Sequence, residues 1–183
     1  MSAAEDGERG GDAQFILRLL ASGLFISYLP AALMGRRKCT GAGFMGSLLA
    51  LALVPLLPEN RAAYVVFLAL FCAFAVWVAG AARFPGNIHD DPRIVIDEIA
   101  GMWLAAALLP RAPAALAAAF VLFRFFDSAK PFGIRRLENL KGGLGIVADD
   151  LAAGAAACLL THAGLLLAPN NFRIDLQGLL KGF

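Results

Sequence analysis

The sequence predicts an all-α, polytopic transmembrane helix bundle with short or re-entrant N-terminal helices. Three observations carry that expectation. Of 183 residues, 60% are hydrophobic and only 16% charged, with a mean hydropathy of +0.71. A soluble domain is nearer about 45–50% apolar and about 25% charged, so too few polar residues are present to cover one soluble core. The apolar residues are gathered into successive runs, and those runs are dense in Gly and Ala, which permits close helix packing in lipid. The same composition excludes a disordered chain and a small disulfide scaffold. A net charge of +2, without a basic patch interleaved with aromatics, gives no reason to expect nucleic acid.

The elements follow in order. Residues 1–14, MSAAEDGERGGDAQ, mix acids with arginine and lack the basic segment and cleavage pattern of a signal peptide. They are expected as a disordered tail before a membrane domain over 15–168, with 169–183 a short C-terminal tail. Within the domain the runs are Phe15–Leu33, interrupted by Arg18 and Ser27; Phe44–Leu57, closed by Pro55 and Pro58; Ala62–Ala82; Ile94–Leu109; Pro113–Phe126; and Leu151–Ala168. A spanning helix takes about 20 residues, usually about 17–25. Only the third and last runs reach that length unaided; the others borrow polar flanks or cross part of the bilayer. The first, broken by Arg18 and followed by a Gly-rich loop, is expected to be re-entrant or interfacial, with the N-terminus on the cytoplasmic side. Cys39, Cys72 and Cys158 are odd in number and widely spaced, and the latter two read as small buried hydrophobes.

If each remaining run crosses once, segments 34–43, 83–93 and 124–148 share one side. They carry Arg36, Arg37, Lys38, Arg83, Arg93, Arg124, Lys130, Arg135, Arg136 and Lys141, against Arg61, Arg111, Arg173 and Lys181 opposite. Basic residues accumulate on the cytoplasmic side. That face also collects His89, Asp90, Asp91, Asp97, Glu98, Asp127, Glu138, Asp149 and Asp150. Carboxylates at the mouths of apolar helices are costly unless they bind something. Acids and bases beside a hydrophobic bundle suit a substrate with an anionic head and an apolar tail.

Three constellations stand out. In His89–Gly101, Pro92 is expected to open a helix, placing Asp97 and Glu98 in its early turns and Gly101 on the face of Asp97. Acids also favour a helix N-terminus through the macrodipole alone, and His89 by itself reads equally as structural. In Phe123–Pro131, Arg124, Asp127 and Lys130 recur every three residues at a helix end. Such a row forms ion pairs on many helices, yet it also holds a phosphate beside a metal ligand. In Lys141–Asp150, three glycines allow backbone N–H groups to approach an anion. A dinucleotide loop is rejected there, because no strand precedes it. Asp149 and Asp150 either cap the last helix or belong to the site.

Several chemistries are absent. No cysteine is followed six positions on by arginine, and no DxDx(T/V) run supplies an aspartyl nucleophile. The two histidines, His89 and His162, do not suit a histidine-nucleophile phosphatase. What remains is carboxylates, and carboxylates beside bases bind Mg²⁺ and polarise phosphates. A transporter would hold its acids near the midplane, whereas these crowd one face. The DGx₂AR…Gx₃D…Gx₃D pattern of lipid phosphotransferases is also missing.

At these residues the chain resembles the phosphatidylglycerophosphatase A family of bacterial inner-membrane lipid phosphatases. The likeness runs from about Leu19 to Leu167 and rests on HDDPRIVIDEIAGMW (His89–Trp103) and FRFFDSAKPFGIRRLENLKGGLGIVADDLAAG (Phe123–Gly154). Gly43–Ser47 resembles the family's PGTxGS loop, with Ala42 for its proline and Phe44 for its threonine, and Glu138 stands where the family commonly has Asp. The resemblance implies Mg²⁺-dependent hydrolysis of phosphatidylglycerophosphate to phosphatidylglycerol, and the basic excess of the loops places the site on the cytoplasmic side. It carries over onto Asp97, Glu98, Asp127, Asp149, Asp150, His89, Asp90, Arg124, Lys130 and Arg135. The physical division of roles expected here gives the five acids Asp97, Glu98, Asp127, Asp149 and Asp150 to metal and catalysis. Arg124, Lys130, Arg135 and His89 are given to the phosphate. Water is the simplest nucleophile, with a spare carboxylate as its base.

Overall fold

The computed structural model describes residues 3–34, 41–86, 91–131 and 133–167, with side chains from Gly11 onward except Met34. Among these residues the secondary structure is entirely helical: α1 (Ala3–Ala21), α2 (Leu29–Met34), α3 (Ala42–Leu53), α4 (Arg61–Ala81), α5 (Ile96–Ala105), α6 (Pro113–Ala129) and α7 (Gly143–Leu167). Short 3₁₀ turns lie at Ile26–Tyr28, Val54–Leu56 and Ile134–Asn139.

Two helices are long and apolar enough to cross a membrane, α4 with 21 residues and α7 with 25. α4 begins at Asn60, whose Oδ1 accepts from Ala63 N at 3.0 Å and satisfies one of the orphan donors of the first turn. Val65, Val66, Leu70 and Trp77 of α4 are exposed, while Tyr64, Leu68, Ala75, Val78 and Ala79 are buried. The large side chains therefore face lipid and the smaller ones mostly face the bundle. That is how helices associate where burial in lipid supplies no hydrophobic gain.

The first apolar run is broken, as expected. Gly11–Ala21 and Ile26–Leu33 are bent by 69° and together would make a third span. Gly23, Leu24 and Phe25 carry the bend at φ 59°, 57° and 66°, a left-handed stretch that ends the helix. Val95 N donates to Ala21 O at 2.8 Å, tying the break to the start of α5. The expected disordered tail 1–14 needs correction, because α1 begins at Ala3. Its polar residues are anchors: Gln14 Nε2 donates to Ala81 O at 3.3 Å, Gln14 Oε1 accepts from Arg83 N at 3.0 Å, and Arg18 Nε donates to Arg83 O at 2.5 Å. Segment 169–183, Cys39 and the Arg36–Lys38 triplet lie outside the described residues.

α7 is the hub, packing against α4, α5 and α6. Its crossing with α5 is glycine on glycine. A Cβ on Gly101 would meet Asp150 O and a Phe123 ring carbon, each at 2.7 Å, and a Cβ on Gly154 would run into Gly101 O. Gly101 thus admits a helix, not a ligand. Trp103 then locks α5 to two neighbours, donating Nε1 to Ala50 O at 2.9 Å and accepting through its carbonyl from Tyr64 Oη at 2.7 Å. α7 starts before the pair Asp149–Asp150, which therefore lies almost two turns inside the helix; the capping alternative falls. Pro92 likewise sits in a turn ahead of α5 and does not open it.

Candidate active site

α5 enters the bundle with Asp97 and Glu98 in its first turn, and α7 passes it with Asp149 and Asp150. Adjacent residues on a helix point about 100° apart, and the second pair divides, Asp149 toward Lys130 and Asp150 toward Asp97 and Glu98. Asp97, Glu98 and Asp150 each bring a carboxylate oxygen within 4.8 Å of the others'. Asp97 and Asp150 are 6% and 4% exposed. Glu98 Oε2, Asp149 Oδ1 and Asp150 Oδ1 are buried without a hydrogen-bond partner among the described residues. Leaving such groups unsatisfied costs about 1–3 kcal/mol each, more when charged. A bound cation removes that cost, and oxygen-only donors suit a hard divalent ion.

The other two predicted acids are held by bases. Arg124 Nη1 lies 2.8 Å from Asp127 Oδ2. The same Nη1 donates to Ser47 Oγ at 3.1 Å, and Ser47 Oγ in turn donates to Gly43 O at 2.8 Å. Lys130 Nζ donates to Asp149 Oδ2 at 2.5 Å and to Glu138 Oε1 at 2.7 Å. Burial works against the Lys130 charge, yet the two carboxylates outweigh it and hold its pKa above the usual lysine range. The Lys130 hydrogen bond in turn draws Glu138 below the usual range. Lys130 itself ends α6 at φ 44°, the left-handed region that non-glycine residues rarely adopt.

These groups line one cavity of about 230 Å³, walled by Gly41–Phe44, Asp91, Asp97, Glu98, Arg124, Asp127, Lys130, Asp149 and Asp150. A larger cavity of about 540 Å³ opens at the far end of α4, around Tyr64 and Arg111. Its carboxylate, Glu59, is paired with Arg111 at 3.6 Å, and no acid cluster lies there. The smaller cavity is the chemical one.

All five predicted acids, with Arg124 and Lys130, thus come together. Arg135 does not line the cavity; it is exposed on the Ile134–Asn139 turn. His89 and Asp90 lie outside the described residues. Two features were hidden. Asp91 lies in the turn ahead of α5 yet is 2% exposed, gripped by Arg93 through Nε and Nη2 at 2.6 Å each. Burial alone would raise its pKa, but the Arg93 hydrogen bonds and charge hold it below the usual range. Ser47 is fully buried and orients Arg124. Its spacing four residues after Gly43 is the signal, since a helical serine can bond back to the carbonyl one turn earlier.

Fold and site together define a polytopic helical membrane protein with a carboxylate-lined cavity, flanked by Arg124 and Lys130, at one end of its bundle. A family model described as Phosphatidylglycerophosphatase A matches residues 19–165. Among similar proteins, the "Putative phosphatidylinositol-3-phosphatase" of Bacteroides thetaiotaomicron is 35% identical over 152 residues, 80% of this chain and 91% of that one. Phosphatidylglycerophosphatase A of Escherichia coli is 38% identical over 117 residues, covering 61% of this chain and 67% of its own. The Haemophilus influenzae protein of the same name is 33% identical over 126 residues, 68% of this chain and 76% of its own. No solved structure matches. The chain belongs to the phosphatidylglycerophosphatase A family and is a phosphoric monoester hydrolase.

Proposed function

We propose that this chain is a Mg²⁺-dependent phosphatidylglycerophosphatase of the bacterial inner membrane, converting phosphatidylglycerophosphate and water to phosphatidylglycerol and inorganic phosphate on the cytoplasmic side. The observation that carries the reading is the meeting of Asp97, Glu98 and Asp150 beside Arg124, in a cavity at the end of an apolar bundle. Mg²⁺ held by those three acids would draw charge from the phosphoryl oxygens in the transition state. The rest belongs to the chain. Among the described residues Arg124 uses Nη1 on Asp127 and Ser47, which leaves Nε and Nη2 for phosphoryl oxygens. Asp127 and Ser47 fix where that guanidinium points. Lys130 directs its ammonium at Glu138 and Asp149, so it acts chiefly by orienting Asp149. Asp149 keeps Oδ1 unpartnered and is the acid best placed to take a proton from attacking water. The exposed Phe44, packed edge-on against Phe120, offers an apolar flank for acyl chains beside the cavity.

The test is phosphate release from detergent-solubilised protein supplied with phosphatidylglycerophosphate, with Mg²⁺ and with excess chelator. Turnover that needs the metal supports the proposal, and turnover unaffected by chelator sinks its metal half. The Bacteroides relative makes phosphatidylinositol 3-phosphate the informative competing substrate. A higher kcat/KM on it than on phosphatidylglycerophosphate would reassign the head group.

A further inference from the structure

The N-terminus of α3 forms one wall of the acid-lined cavity. Gly41 precedes the helix at φ 91° and supplies no side-chain cap. Met45 N is the first amide of the helix to find a backbone acceptor, at Gly41 O. The amides of Ala42, Gly43 and Phe44 have none among the described residues. Four orphan donors and the positive end of a macrodipole make a helix start an anion site. The start of the 12-residue α3 lines the same cavity as Asp150, which is 4% exposed and keeps Oδ1 without a partner among the described residues.

The two features call for complementary ligands. Unpartnered carboxylates call for a cation, and amides without an acceptor among the described residues, in the same cavity, call for an anion. Glu98 joins the walls, because a Cβ on Gly43 would run into its carboxylate. Only glycine there lets an acid of the cluster lie against the helix start. Position 44 is phenylalanine, which brings no polar side-chain atom to the helix start, so the donors there are backbone amides.

We propose that the Gly43 and Phe44 amides bind the oxygens of the phosphomonoester that are not engaged by the metal. The inference rests on the phosphatase reading above and assigns its phosphate a seat between α3 and the acids. The ligand class is a phosphate monoester dianion or inorganic phosphate, the shared chemistry of substrate and product.

The probe is inorganic phosphate in the presence of Mg²⁺, with binding read by calorimetry and by the ¹⁵N–¹H resonances of residues 43 and 44. Phe44→Pro deletes one amide at a first-turn position where proline fits a helix; Phe44→Ala removes the ring and keeps the amide. Phosphate affinity should fall roughly 10- to 100-fold in Phe44→Pro, the scale of one charge-assisted hydrogen bond. It should change less than about threefold in Phe44→Ala, while Mg²⁺ affinity holds in both. A folded Phe44→Pro protein with unchanged phosphate affinity overturns the proposal. If that variant does not fold, the wild-type resonances decide: both amides should shift on adding phosphate, and stationary resonances overturn it. Amides that respond to phosphate in a protein that does not hydrolyse phosphatidylglycerophosphate would defeat the substrate reading and keep this one. Phosphatase activity with silent amides would do the reverse.

Discussion

Lys130 Nζ sits 2.5 Å from Asp149 Oδ2, joining the C-terminal end of α6 to the second turn of α7. In the row Arg124–Asp127–Lys130 the sequence leaves ion pairing and phosphate binding both open; all three line the cavity, and the Lys130 ammonium is paired with Asp149 and Glu138.

Lys130→Met should therefore act through Asp149. An i,i+3 surface pair would cost a few tenths of a kcal/mol, but Asp149 is 5% exposed and loses its cation. The loss should be about 1–3 kcal/mol, short of the fully buried case because Lys130 is partly exposed. Glu138→Gln, whose partner site is exposed, should cost well under about 1 kcal/mol. Denaturation of both variants in one detergent checks the ranking, and equal costs would leave Lys130–Asp149 without special weight.

Asp150→Asn should separate stability from function. It removes one charge from the crowd of Asp97, Glu98 and Asp150, so the melting temperature in chelator should hold or rise. Activity should fall at least about 10–100-fold, the scale for even indirect perturbation of a metal site. Mg²⁺ titration of the melting temperature should flatten. A variant with wild-type turnover and a full Mg²⁺ response would remove Asp150 from the ligand set.

Gly43→Ala adds a methyl group where the Glu98 carboxylate lies. Alanine suits a helix, so folding should be little changed. The displaced carboxylate should cost roughly 10- to 100-fold in kcat, since misplacement by about 1 Å costs that much. Steady-state kinetics beside a melting curve would show it, and unaltered kcat would mean that Glu98 relaxes freely.

Asp91 gives a pH dependence of known sign. Its pKa in the folded protein lies below the usual aspartate range, so the folded state favours its charged form. The stabilisation is complete above that range and is lost as pH falls through the lowered value. Wild type should exceed Asp91→Asn by about 1–2 kcal/mol near neutrality, and the gap should close only below about pH 4. A gap that closes on the alkaline side would refute the ion pair with Arg93.

Orientation can be read by labelling. On a background without the native cysteines, Pro85→Cys and Arg136→Cys should be shielded from an impermeant thiol reagent in intact cells. Glu59→Cys, 88% exposed at the opposite end, should react. The reverse pattern would place the acid cavity outside.

The apolar runs, their order and the acid-bearing motifs could be read from the sequence, because hydrophobic length and residue type are local properties. The two long spans, the broken first helix and the shared face of the acids all follow from such properties. Helix α1 reaches into the tail before Phe15 for a matching reason: Gln14 looks solvated until the Ala81 carbonyl at the end of α4 receives it. Tertiary structure alone decided how five similar carboxylates divide. Asp149 and Asp150 are neighbours with the same side chain, yet the helical turn sends one toward Lys130 on the end of α6 and the other toward Asp97 and Glu98 on α5. The glycine crossing of α5 and α7 brings those helices close enough for three acids to converge. Charge distributed along a sequence becomes a site only through distances between helices, and those are set by packing.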